Sequence, residues 1–386
     1  MDERFDTIVD RYGTGSVKWD VKKSELPMWV ADMDFHTAPC IRCAIEKRAA
    51  HGVFGYSIIP YEWAEAYRNW WGMHHGFLFN HEDILFVTGV IPAIASAIRQ
   101  FTRPGEKILI QPPVYNHFFY SIINNGRRII ENRLEYQNHS YSMDFEDLEK
   151  KLSDPMTTMM ILCNPHNPVG RIWTEEELAR VGDLCEQYHV LVFSDEIHCD
   201  LTVPGKTYHP FASVSDACRK NSITAVAPTK TFNLAGIQSA AVIIPEEAIR
   251  QRMHRALSTD EVGEPNAFAM DATIAAFSEE GWEWLTALRE YIQHNKKIAV
   301  EYIEENLPKV IAIQQEATYL MWLDVSAYTD DSDALQKMIR KNTGLFLNAG
   351  SIYGCNGNRF FRMNVACPET TLRDGLQRLK KALSVL

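Results

Sequence analysis

Val192-Phe193-Ser194-Asp195-Glu196-Ile197-His198 runs from apolar residues into two adjacent carboxylates and a histidine. The stretch 190–194 is short, apolar and partly β-branched, the pattern of a strand buried on both faces. Similar runs lie on either side of it, at 84–87, 107–111, 158–163, 222–227 and 240–244. Amphipathic stretches separate several of these runs. The one at 175–188 reads most clearly: Thr174 and Glu177 match a capping box, and Leu178, Val181, Cys185 and Tyr188 recur at helical spacing. Strands alternating with helices predict an α/β fold with a mostly parallel central sheet covered by helices.

Beyond residue 280 the pattern changes. A long helical stretch at 281–306 ends before Pro308, followed by strand-like 319–325, a helix near 333–342, strand-like 359–365 and a terminal helix at 368–386. This predicts a smaller α+β domain of residues 281–386, with the loop-rich segment 1–45 packed against it. Residues 46–280 then form the large domain. A chain of 386 residues is long for one core, so two domains are expected.

Hydrophobic residues are 46% and charged residues 23% of the chain, which places it with globular proteins rather than disordered ones. A net charge of -11 gives no general attraction for nucleic acid. No apolar run has the length of a membrane span, and the start carries no basic head and apolar stretch of a secretory signal. The eight cysteines are scattered, which suits reduced thiols in a cytoplasm. Cys40 and Cys43 form one C-x-x-C without a second ligand pair, so two ordinary thiols at a helix start are expected, and no metal.

Four segments each follow a predicted strand, at the sheet edge where open parallel sheets bind ligands. In Phe86-Val87-Thr88-Gly89-Val90-Ile91-Pro92-Ala93 a glycine turn leads into a helix. Free N–H groups of Gly89, Val90 and Ile91 could cradle a phosphate there, although many such turns bind nothing. In Leu162-Cys163-Asn164-Pro165-His166-Asn167-Pro168-Val169-Gly170 two Asn-Pro steps predict an extended, rigid loop. The prolines serve the connection, whereas the Asn167 amide could donate to an anionic oxygen. Asp195 ends a buried strand, where a carboxylate's pKa rises unless a cation partners it; the bland alternative is a helix N-cap. A protonated pyridine nitrogen is such a cation, and a pyridoxal ring needs that pairing to act as an electron sink.

The fourth segment is Thr224-Ala225-Val226-Ala227-Pro228-Thr229-Lys230-Thr231-Phe232-Asn233. A lysine among small and apolar residues can lose its charge and become nucleophilic. Most lysines are solvated charges, but these flanking residues suit a surface helix poorly. The gaps of 28 residues from Asn167 to Asp195 and 35 from Asp195 to Lys230 each fit one further strand–helix crossover.

Together these residues resemble the fold-type-I, pyridoxal 5'-phosphate (PLP)-dependent enzymes of the aminotransferase class I/II family. The likeness runs from Trp29-Val30-Ala31-Asp32-Met33-Asp34-Phe35 to Arg359-Phe360-Phe361-Arg362-Met363-Asn364. Within that family the chain looks most similar to the MalY/PatB group of carbon–sulfur β-lyases. The pointers are the acidic signature Ala31-Asp32-Met33-Asp34-Phe35, Gly52-Val53-Phe54-Gly55-Tyr56, Ser194-Asp195-Glu196-Ile197-His198 and Lys230-Thr231-Phe232-Asn233-Leu234-Ala235-Gly236.

The resemblance implies roles. Lys230 is the Schiff-base lysine and general base, and Asp195 partners the pyridine nitrogen. Asn167 and His198 stand at the ring's O3' oxygen, and Tyr115 stacks on the ring. Val90 and Ile91, with Gly89 and Thr229, hold the phosphate. Tyr56 reaches the neighbouring subunit's phosphate, which implies a homodimer, and Arg362 clamps the substrate α-carboxylate, with Asn167 and Tyr56 nearby. Bland readings remain for three of them: Tyr115 as core, Tyr56 as interface only, Arg362 as a surface residue. Many relatives carry a basic residue eight positions after the lysine; here it is Gln238, which removes one phosphate contact. The side-chain pocket is expected near Trp29, Tyr61 and Tyr353.

The implied activity is β-elimination from L-cystathionine or related cysteine S-conjugates, giving a thiol, pyruvate and ammonia. Transamination shares the early steps and is the alternative. A regulator on the same fold, acting through a protein partner, is a further one. No helix-turn-helix domain is appended.

Overall fold

A seven-stranded sheet organises the computed structural model, which describes residues 3–386. Its strands are β1 (Ile84–Val87), β2 (Lys107–Ile110), β3 (Arg128–Glu131), β4 (Thr157–Cys163), β5 (Leu191–Asp195), β6 (Ser222–Val226) and β7 (Ala240–Ile243), in the order β1-β7-β6-β5-β4-β2-β3. All pair in parallel except β7, which is antiparallel to both neighbours. Every residue of β5, β6 and β7 is buried, as their unbroken apolar runs require. The helix Val90–Phe101 lays Ile94, Ala97 and Ile98 on one face, against Ile161 and Phe193. On the other face the helix Glu175–Gln187, with both halves of its capping box formed, packs Leu178, Val181 and Cys185 against Leu162 and Val192.

Register is what brings the chemistry together. Cys163 lies beside Asp195, and Asp195 beside Ala225, across three neighbouring strands. The segments leaving β4, β5 and β6 therefore emerge side by side, carrying Asn167, Asp195 and Lys230. Each fully buried Ile, Leu or Phe beneath them contributes about 1.5–3 kcal/mol, so these residues stand on a rigid floor.

A second, antiparallel sheet holds β8 (Ile311–Ala312), β9 (Leu320–Asp324), β10 (Asn348–Ala349) and β11 (Phe360–Asn364), in the order β8-β9-β11-β10. The helices Glu279–Asn306, Ser332–Thr343 and Glu369–Leu383 accompany it. Leu26–Pro27 pairs in parallel with Leu345–Phe346, so the N-terminal segment joins this region.

Residues 28–35 cross between the two sheets without a ladder of their own. Side chains satisfy their carbonyls instead: Asn364 Nδ2 donates to Val30 and Asp32, and Asn233 Nδ2 to Met33 and Phe35. The Asp32 and Asp34 carboxylates each lie 2.7 Å from Arg11, and Lys18 reaches Asp34 at 2.8 Å. The acidic signature Ala31-Asp32-Met33-Asp34-Phe35 is thus an anchor for a crossing segment.

The Asn-Pro loop differs from the expected extended form. Both Asn-Pro bonds are cis, and the chain folds into a turn closed by His166 N to Arg171 O at 2.8 Å and Gly170 N to His166 O at 2.7 Å. The edge strand β3 and the helix Tyr61–His75 have no counterpart in the sequence reading. The first is only four residues long; the second carries Trp63, Tyr67, Trp70 and Trp71 on a face buried by long-range contacts.

Candidate active site

Lys230 sits on a single helical turn, Pro228–Thr231, between β6 and β7. Its Nζ donates to the Ala31 carbonyl at 2.6 Å. Its pKa is lowered to about 8, chiefly by burial and also by the Arg362 charge, with Asp32 and Asp195 opposing the shift. The turn is clamped from below. Thr231 Oγ1 donates to the buried Asp200 carboxylate at 3.0 Å, which also takes Trp70 Nε1 at 2.9 Å and pairs with His75 at 2.8 Å.

Asp195 is buried at the end of β5, and no helix follows it, so the N-cap alternative does not hold. Its carboxylate accepts one hydrogen bond, from the Ile197 amide at 3.2 Å. Burial pushes its pKa up to about 7, with the Ile197 amide and the Lys230 charge pulling the other way. His198 is buried, its Nδ1 has no partner, and burial holds its pKa down to about 3, with Lys230 and Arg362 adding to the effect. Its imidazole is neutral at pH 7. Asn167 is buried, lines the cavity and accepts Arg362 Nη1 on its Oδ1 at 3.2 Å, which leaves its NH2 group free of that bond.

These groups enclose a cavity of about 200 Å³. Gly89, Val90 and Ile91 form one wall; Asn167, Asp195 and His198 form another; Lys230 and Tyr115 complete it. Val90 and Ile91 open their helix, so their amides lack partners within it. A Cβ on Gly89 would stand 3.3 Å from Pro92 Cδ and crowd that cradle. Tyr115 is half-buried and stacks on His117 with centroids 5.1 Å apart, rather than disappearing into the core.

Thr229, Arg362 and Tyr56 lie outside the cavity wall. Thr229 precedes Lys230 on the same turn. Arg362 is buried on β11, so the surface alternative does not hold. Its Nη2 donates to the Trp29 carbonyl at 2.9 Å, its guanidinium lies 5.0 Å from the Tyr353 ring centre, and its Nε has no partner. No carboxylate of the described residues pairs with it. A buried cation without an anion is costly, so the site is complementary to an incoming carboxylate. Tyr56 is fully exposed in the segment 52–60, where Val53, Phe54 and Ile58 are exposed as well. Gln238 is exposed with a left-handed backbone, and is not part of the cavity wall.

Trp29 and Tyr353 stand beside Arg362, whereas Tyr61 stacks on His81, apart from the cavity. Sequence reasoning gave no site role to the Ala31 carbonyl, Cys163 or Ile197, which also line the cavity, or to Tyr319, whose hydroxyl donates to Ala31 O at 3.0 Å. The quoted motif contained Ala31, but nothing local reveals that its carbonyl faces a lysine about 200 residues away.

A lysine, a buried carboxylate and a helix N-terminus around one cavity, at the carboxyl edge of a mostly parallel sheet, define the aminotransferase-like class of fold-type-I enzymes. The chain belongs to the Aminotransferase class I and II family, which matches residues 27–379. It is 45% identical to cystathionine beta-lyase PatB of Bacillus subtilis (strain 168), over 98% of this chain and 100% of that protein. It is 33% identical to protein MalY of Escherichia coli (strain K12), over 98% of each. The crystal structure of a PLP-bound putative aminotransferase from Clostridium difficile 630 superposes with a TM-score of 0.95 at 39% identity, covering 98% of this chain and 99% of that one.

Proposed function

We propose that this chain is a PLP-dependent carbon–sulfur β-lyase that cleaves L-cystathionine or related cysteine S-conjugates to a thiol, pyruvate and ammonia. One observation carries the reading: around a single cavity stand a lysine amine with a lowered pKa, a carboxylate lacking a cation and a buried imidazole nitrogen lacking any partner. PLP answers each need, through its aldehyde, its pyridine nitrogen and its O3' oxygen. The Val90 and Ile91 amides, with Gly89 and Thr229, suit its phosphate. The likeness to PatB and MalY supports the lyase outcome.

When bound, PLP supplies the electron sink that makes an amino acid's α-proton acidic. Asp195 keeps that sink effective by holding a positive charge opposite its carboxylate. Tyr115 would cover the ring face, and neutral His198 with the Asn167 amide would donate to the ring oxygen. Arg362 takes the substrate carboxylate on its planar fork and so aims the α-carbon. Lys230 takes the α-proton as general base; burial brings its pKa down to about 8, so far more of its amine is neutral near pH 7 than in a free lysine. The β-carbon–sulfur bond then breaks and the thiolate leaves.

Residues 46–280 serve as the large domain, with 1–45 and 281–386 as the small one. The exposed apolar segment 52–60 docks on a second copy, so that Tyr56 completes the neighbour's phosphate site in a homodimer. Among the described residues no helix is long and apolar enough to cross a membrane, and we place the enzyme in the cytoplasm.

The name of the Clostridium difficile neighbour favours a second reading, aminotransferase. The purified protein with L-cystathionine separates the two. Pyruvate formed without any 2-oxo acid supports the lyase; turnover only when a 2-oxo acid is supplied overturns it in favour of transamination.

A further inference from the structure

We propose that Tyr319 is a positioning residue for the Lys230 amine, acting through the Ala31 carbonyl; this rests on the reading of Lys230 as the reactive lysine. The Ala31 oxygen accepts Lys230 Nζ at 2.6 Å and Tyr319 Oη at 3.0 Å. A carbonyl oxygen has two lone pairs, so the two donors saturate it. Ala31 would be satisfied by the lysine alone. The second bond gives the buried Tyr319 hydroxyl its acceptor and, at the same time, keeps the Ala31 oxygen paired and aimed while Lys230 is away reacting.

Everything around that oxygen is immobilised. The Tyr319 ring is fully buried, and its carbonyl accepts the Val365 amide at 2.9 Å. The neighbouring amide of Thr318 donates to Leu201 O at 2.7 Å. On either side of Ala31, Asn364 Nδ2 holds the Val30 and Asp32 carbonyls, and the Asp32 carboxylate is paired with Arg11. Burial raises the Tyr319 pKa, so the phenol remains a donor at working pH. The Ala31 oxygen is thus a preset seat for the amine of Lys230, and Tyr319 holds that oxygen in place.

Tyr319→Phe removes only the hydroxyl, and Ala31 O retains Lys230 as donor, so the variant keeps its fold. The first measurement is the rate at which the full-length chain, stripped of cofactor, captures added PLP, followed by absorbance between about pH 6 and 10, which brackets the lysine's titration. The expected result is a plateau rate lowered about five- to tenfold with an unchanged pH midpoint, because orientation changes and charge does not. An unchanged plateau, or a shifted midpoint, overturns the proposal. In the loaded enzyme kcat should fall while KM holds; a rise in KM with kcat unchanged also overturns it. A crystal structure of the stripped wild-type chain needs no variant: the amine must lie on Ala31 O, and an amine pointing elsewhere overturns the assignment. Should wild type capture no PLP at all, the proposed function itself fails, which is a distinct outcome.

Discussion

Lys230→Met removes the amine and keeps a stem of similar length, and it should stabilise the cofactor-free protein near neutral pH. The folded lysine titrates at about 8, against 10.5 when free. The unfolded chain therefore holds the proton more tightly than the folded one. Below pH 8 both states are protonated, and the fold bears the full cost of a buried ammonium. As pH rises toward 10.5 the folded amine is already neutral while the unfolded one is still charged, and the cost fades. The shift, at 1.36 kcal/mol per unit, amounts to about 3 kcal/mol. Urea denaturation of wild type and variant, both stripped of cofactor, measures this. The variant should be the more stable by about 3 kcal/mol at pH 7, with the gap narrowing by pH 10. A variant no more stable than wild type at pH 7, or a gap that widens with pH, would show that Lys230 is solvated and untuned, and the reasoning would fail.

Asp195→Asn removes one partner of a buried charge pair, worth about 3–5 kcal/mol, so kcat/KM should fall on the order of 10²–10⁴-fold in steady-state assays. Arg362→Lys loses the planar fork on the substrate carboxylate; KM for L-cystathionine should rise about 10–100-fold, and an unchanged KM would place the carboxylate elsewhere. Light scattering should give twice the 44.2 kDa chain mass, and mixing Tyr56→Ala with Lys230→Ala subunits should regain activity in hybrid dimers that carry one intact site. Hybrids that remain inactive would remove Tyr56 from the neighbour's site.

The centre of the fold was legible because each strand of the large sheet is a short apolar run that no helix could bury as well. Asn167, Asp195 and Lys230 could be grouped because each stands at the end of such a run, and β4, β5 and β6 pair in a register that brings those ends together. Local patterning says less about turns. The two Asn-Pro steps read as extended, yet hydrogen bonds around His166 and Gly170 close a turn. Long-range contact is not legible at all: the pairing of Ala31 with both Lys230 and Tyr319 depends on how the crossing segment 28–35 is pinned by Arg11, Asn233 and Asn364. Arg362 was read as a site residue, but its strand-like run left a surface placement open. Only its burial and unpaired Nε separate the two.

Reducing the PLP-loaded protein with borohydride, digesting it and weighing the peptides tests the covalent claim most directly. The cofactor's mass should appear on the peptide containing Lys230 and on no other. A mark on a different lysine, such as the buried Lys296, or no mark at all, would contradict the account.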